Sequence, residues 1–167
     1  MKRIVIGVLA LSTTLLADVA MAAQLKPLWL FWNSSNLDNA TVTDPFFDRS
    51  YAGYVRARVE GCVFDAPAPN TVPLELFYSF NRRDFFSTAT QQGINSAIDA
   101  GYQFKGVQGY VYQTQQPGTV DLELWWSAAR NDNFTTATDV GKQSAQQAGY
   151  SFVRVEGWVS PATFCSG

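Results

Sequence analysis

Ala-Gly-Tyr occurs three times in this chain, at Ala52-Gly53-Tyr54, Ala100-Gly101-Tyr102 and Ala148-Gly149-Tyr150, each time 48 residues on. A second marker keeps the same step: Val59-Glu60-Gly61-Cys62-Val63, Val107-Gln108-Gly109-Tyr110-Val111 and Val155-Glu156-Gly157-Trp158-Val159. One unit is therefore written three times, over residues 27–72, 73–120 and 121–167. A unit this short cannot bury a core of its own and must share one with its neighbours. The repetition constrains the fold far more than the chemistry.

Ahead of the units, residues 1–22 read as an export signal. Lys2 and Arg3 form a basic start, Ile4 to Leu16 an apolar stretch, and Ala20-Met21-Ala22 a small-residue cleavage site. Cleavage before Ala23 predicts a single mature domain, residues 23–167, in a secreted or periplasmic location. It would carry 10 basic and 13 acidic residues, a net charge of −3. No basic run exists, so nucleic acid is not an expected partner. No later stretch reads as a membrane span, and a monomer is expected. The two cysteines, Cys62 and Cys165, are expected to form one disulfide in an oxidising compartment, tying the first unit to the C-terminal tail.

Within the units, each opens on an apolar strand pattern. In Leu74-Glu75-Leu76-Phe77-Tyr78 and Leu122-Glu123-Leu124-Trp125-Trp126, leucine alternates with glutamate at the period of a half-buried strand. A polar loop ends at Asp38, Asp84 or Asp132, and a short second strand follows. Thr90 and Thr138 read as N-caps of helices over 91–100 and 139–148, with Gly101 and Gly149 as C-terminal stops. In the first unit Asp44-Pro45-Phe46-Phe47-Asp48 replaces that helix, since Pro45 is excluded from a helix interior. The gap reads as a degenerate capping unit or as a cleft entrance. The expected fold is mainly β with short helices, three units of about 48 residues closing into a pseudo-threefold domain. Either a β-trefoil-like arrangement or a small propeller-like one would remove exposed strand edges.

The units resemble a family of uncharacterised secreted repeats of the pattern L-Y-R-F-Y-N, H-F-Y-T-T, A-G-Y, E-G-V-A-F. The resemblance rests on Leu74-Glu75-Leu76-Phe77-Tyr78, Asp84-Phe85-Phe86-Ser87-Thr88, Ala100-Gly101-Tyr102 and Gly106-Val107-Gln108-Gly109-Tyr110-Val111, with the third unit parallel. It implies a non-catalytic module of the kind appended to secreted hydrolases, binding a surface or a carbohydrate. The family's histidine is missing here, so no role passes from it.

Absence of histidine excludes Ser-His-Asp and Cys-His triads and histidine-containing zinc sites. A carboxylate pair, Glu60 with Glu156, leaves a glycosidase as the third-ranked reading. Arg58 and Arg154 stand two residues before those glutamates, and unit two has Gly106 and Gln108 instead; the joint loss favours a structural Arg–Glu pair. Asp38, Asp84 and Asp132 read first as Asx-turn caps. Their functional reading puts one aspartate in each of up to three shallow pockets, accepting from sugar hydroxyls. Arg82 and Arg130 would complete those pockets, with Asn36 in unit one, beside an aromatic platform of Trp32, Tyr78 or Trp126. One carboxylate per unit is too few for calcium, so no metal or cofactor is expected. The expected function is carbohydrate or cell-surface binding; a structural or protein-interaction module of the envelope is the alternative.

Overall fold

The computed structural model describes residues 22–165, so the export signal read at residues 1–22 lies outside it but for Ala22. The chain is mainly β, and the order strand, strand, helix, strand runs three times. The first unit has β1 (Leu25–Asn33), β2 (Asp38–Val42), α1 (Phe47–Ser50) and β3 (Val55–Phe64). The second has β4 (Thr71–Ser79), β5 (Asp84–Thr88), α2 (Gln91–Asp99) and β6 (Gln103–Tyr112). In the third are β7 (Val120–Ser127), β8 (Asp132–Thr136), α3 (Asp139–Gln147) and β9 (Ser151–Val159).

Each unit forms an antiparallel three-stranded group with its first strand in the middle: β2-β1-β3, β5-β4-β6 and β8-β7-β9. Single pairs join the groups, Phe64 to Tyr110 and Tyr112 to Trp158. Cys62 also pairs with Ser160, just beyond β9, so that the third group touches the first. The Val-x-Gly-x-Val glycines sit at these seams. A Cβ on Gly61 would lie 2.6 Å from Val159 Cγ2, one on Gly109 2.7 Å from the Phe64 carbonyl, and one on Gly157 2.7 Å from Val111 Cγ2. No side chain fits there, which explains why the marker keeps glycine at its centre.

The units share one core, as their length requires. Leu28, Leu74 and Leu122 meet Val63, Val111 and Val159 in a single buried cluster, two residues from each unit. A second junction lies among β2, β5 and β8. There Thr41 Oγ1 donates to the Thr135 carbonyl (2.5 Å), Thr135 Oγ1 to the Ser87 carbonyl (2.8 Å), and Ser87 Oγ to the Thr41 carbonyl (2.6 Å). The three hydroxyls hand on hydrogen bonds from unit to unit and return to the start.

Helices α2 and α3 begin where their caps predict: Thr90 Oγ1 accepts from Gly93 N–H and Thr138 Oγ1 from Gly141 N–H, both at 3.1 Å. Gly101 and Gly149 follow their ends at φ of 76° and 81°, the left-handed conformation that stops a helix. The first unit is not without a helix, as its sequence implied, but keeps the single turn of α1, which begins beyond Pro45. Its Phe47 is buried among Phe31, Tyr54 and Phe85, and with Tyr51, Leu76, Lys105 and Gly106 it also lines a cavity of about 250 Å³.

Candidate functional site

The loops after β1, β4 and β7 are four-residue turns whose last residue, Leu37, Arg83 or Asn131, has a φ of 55–57°. That residue turns the chain so that the next one, the repeated aspartate, points inward. The turns are capped by other side chains. Asn33 Oδ1 accepts from the N–H groups of Ser35 and Asn36, Ser79 Oγ from Arg82 N–H, and Ser127 Oγ from Arg130 N–H. The Asx-turn role expected of Asp38, Asp84 and Asp132 therefore belongs to Asn33, Ser79 and Ser127.

The aspartates do not line three separate shallow pockets either. All three are at most 2% exposed, and each offers an oxygen within 4.8 Å of the others'. Each accepts from the tyrosine of its own Ala-Gly-Tyr: Tyr54 to Asp38, Tyr102 to Asp84, Tyr150 to Asp132. Asn39 Nδ2 reaches Asp132 (3.1 Å) and Asn133 Nδ2 reaches Asp84 (2.9 Å), across unit boundaries. The corresponding residue toward Asp38 is Phe85, which has no amide to give. Burial, with Asp132 and Asp84 close by, pushes Asp38 up to about 11. Burial and the charge of Asp132 push Asp84 up to about 8, against the donors of Tyr102 and Asn133. Burial likewise raises the three tyrosines. Among the described residues this is the group able to offer three carboxylate ligands, so one carboxylate per unit is not too few once the units converge. Protons can balance the same charge, and the raised values of Asp38 and Asp84 have that meaning.

Glu60 and Glu156 form a separate pair of contacts. Both stand at β-bulges: Leu28 pairs with Gly61 and Trp29 with Val59, skipping Glu60, and Glu156 is skipped in the same way. The bulge re-aims a strand side chain into the neighbouring unit. Glu60 Oε2 there accepts from Thr136 Oγ1, Ala137 N–H, Thr138 N–H and Thr138 Oγ1 at 2.6–3.1 Å, the approach to α3. Glu156 does the same for Thr88, Ala89 and Thr90 ahead of α2. Arg58 and Arg154 hold the other oxygens at 2.6 and 2.7 Å. The structural Arg–Glu pair expected from sequence is present, and the carboxylates are committed to it. Replacing Glu60 by alanine should cost about 3–5 kcal/mol of stability, since it strands Arg58 and four donors. Urea unfolding measures that loss; a cost below about 1 kcal/mol would contradict the role.

Two crevices at unit boundaries carry the remaining candidates. The first, a cavity of about 370 Å³, is lined by Leu30, Trp32, Asn39, Ala57 and Arg58 of unit one and by Arg130, Phe134, Ser144, Ala148 and Tyr150 of unit three. The second, about 290 Å³, is lined by Leu124, Trp126, Asn133, Val153 and Arg154 of unit three and by Arg82, Phe86, Ser96, Ala100 and Tyr102 of unit two. The two linings correspond position by position. In each, an arginine from one unit lies against its own unit's tyrosine and the next unit's tryptophan. Arg130 Cζ is 5.5 Å from the Tyr150 ring and 5.9 Å from Trp32; Arg82 Cζ is 5.4 Å from Tyr102 and 5.3 Å from Trp126. The sequence pointed to Trp32, Tyr78 or Trp126 as the platform without pairing arginine and ring, and the contacts cross from one unit to another.

The third boundary differs. Tyr78 packs on Phe85 and Tyr51 in the aromatic cluster with Phe47, and Asn36 stands where an arginine would be. Gly106 and Gln108 replace the second arginine and its glutamate, and Gln108 bonds Thr43 and Ser87. The residues missed from sequence are Asn39 and Asn133, which link the crevices to the aspartates, and Gly93 and Gly141. A Cβ on Gly141 would lie 1.8 Å from Thr136 Oγ1 and 2.9 Å from Arg58 Nη2.

Residues 29–160 match the family model described as a domain of unknown function, DUF5648, and the chain belongs to that family. No curated protein and no solved structure matches it.

Proposed function

We propose that this family member is an exported, non-catalytic, monomeric module whose three units close into a pseudo-threefold, propeller-like ring, and that it binds carbohydrate in the two crevices. One observation carries the reading: ten lining positions correspond between the crevices, and both keep a half-buried tryptophan beside an arginine. An indole face beside polar groups in a cavity of this size suits a sugar ring, which offers an apolar face and hydroxyl edges. The seam pairs Phe64–Tyr110, Tyr112–Trp158 and Cys62–Ser160 support closure. Commitment of Glu60 and Glu156 to the helix approaches supports a non-catalytic role.

Two weak sites on one polymer gain avidity, so losing one should weaken polysaccharide binding by about 100-fold or more. Trp32→Ala and Trp126→Ala are each expected to do so, and the double variant to abolish binding, with folding verified by circular dichroism. Affinity electrophoresis in polysaccharide gels reads the effect. Full binding by the double variant would sink the assignment.

A structural or protein-interaction module is the second reading. It is favoured by the exposed Phe80, Phe104 and Phe152, each of which packs on one neighbouring ring, Tyr78, Phe77 or Trp125, and leaves half or more of its surface to solvent.

A further inference from the structure

The crevices are electropositive in a chain that is acidic overall. Arg130 and Arg58 line the first, Arg82 and Arg154 the second, and no aspartate or glutamate lines either. Arg58 and Arg154 are paired with Glu60 and Glu156. Arg130 and Arg82 are not: among the described residues neither has a carboxylate within salt-bridge distance, and each is held by aromatic rings. Arg82 Nη1 donates to Tyr102 Oη at 3.4 Å, and the remaining in-plane N–H donors of the guanidinium match the two oxygens of a carboxylate or sulfate.

The boundary whose aromatic platform is taken up in packing has lost both arginines. Asn36 stands for the one beside the rings and Gly106 for the paired one, Tyr78 packs on Tyr51 and Phe85, and the cavity of about 250 Å³ that remains is lined by Lys105 and Asp44. Tryptophan and its arginine are kept together or dropped together, as expected if one ligand uses both.

Building on the carbohydrate reading, we propose that each crevice takes an acidic sugar residue, its carboxylate or sulfate on Arg130 or Arg82 and its ring face on Trp32 or Trp126. The two crevices would then grip one polyanionic glycan. Nucleic acid is the less fitting polyanion: the cations lie in two separate crevices rather than along a track, and the chain's net charge is −2.

The test compares polygalacturonate with its fully methyl-esterified form, the same backbone without the charge, alongside heparin, neutral dextran and a single-stranded oligonucleotide. Isothermal titration of the oxidised protein should show polygalacturonate or heparin binding at least about tenfold tighter than the ester and dextran, weakening as sodium chloride is raised. The Arg82→Gln, Arg130→Gln double variant should lose that preference, and the corresponding lysine double variant should keep part of it. Equal affinity for the acid and the ester overturns the acidic-sugar assignment and leaves carbohydrate binding standing. Absence of binding to every glycan overturns both. Oligonucleotide binding as tight as that of the acidic glycans overturns the glycan assignment.

Discussion

Replacing Cys62 and Cys165 together by serine should lower the unfolding free energy by about 4–5 kcal/mol. The bond joins β3 to the segment after β9 across 103 residues of sequence, with the Cα atoms 5.9 Å apart. Its absence frees a loop of 103 residues in the unfolded state, and loop-closure entropy grows with the length closed. In the folded state it reinforces the seam between the first and third units. There Cys62 N–H donates to the Ser160 carbonyl at 2.8 Å and Ser160 N–H to the Cys62 carbonyl at 3.2 Å. The double serine variant avoids leaving a free buried thiol. Urea unfolding beside the oxidised parent measures the difference, and hydrogen exchange should show the seam amides of β3 and the segment after β9 losing protection first. A loss under about 1 kcal/mol would mean that the seam's other contacts, Glu60 to Thr138 among them, already hold the ends together.

How far the sequence could be read depended on distance along the chain. Thr90 and Thr138 were legible because a cap acts within one helical turn. The Cys62–Cys165 pair was legible because two cysteines in an oxidising compartment leave one pairing. The convergence of Asp38, Asp84 and Asp132 was not, since each contact spans a unit and the local pattern around each aspartate is that of an ordinary turn. Glu60 and Glu156 were hidden by the bulges: a strand read with a strict period of two keeps them on the strand's own face, whereas the skipped residue reaches the next unit. The arginine–tryptophan contacts were hidden for the same reason, since Arg82 meets the Trp126 of another unit.

One puzzle in the sequence has a structural cause. Unit two lacks the Arg–Glu pair, and unit one lacks a full helix. In the folded chain these two losses face each other. Glu60 serves the approach to α3 and Glu156 the approach to α2, each reading a Thr-x-Thr-x-x-Gly segment, Thr136 to Gly141 and Thr88 to Gly93. Unit one has no such segment, and the residue presented to it is Gln108, which accepts from Thr43 N–H at 3.2 Å. A glutamate there would meet no cluster of threonine donors. Its replacement by a neutral amide follows from the loss of the partner, and the Gly106 substitution follows from the loss of the glutamate.

The buried aspartates give the second large expectation, a stability that falls as pH rises. Asp38 and Asp84 are held at about 11 and about 8 in the folded chain, far above the ordinary carboxylate range of the unfolded one. The folded state therefore keeps protons that unfolding releases. Stability from these groups is fully present below about pH 4 and drains away as pH climbs through 8 for Asp84 and toward 11 for Asp38. Within that window each group removes up to about 1.4 kcal/mol per pH unit. Asp38 is the more raised of the two because Phe85 occupies the position from which Asn133 donates to Asp84. Asp38→Asn keeps an acceptor for Tyr54 and carries no charge at any pH. It should be more stable than the parent at pH 8 by roughly 2–4 kcal/mol, with a smaller gain at pH 5. Urea unfolding of both proteins at the two pH values decides it. A parent equally stable at pH 5 and pH 8, or an asparagine variant weaker than the parent at pH 8, would show that Asp38 and Asp84 do not keep their protons in the folded chain.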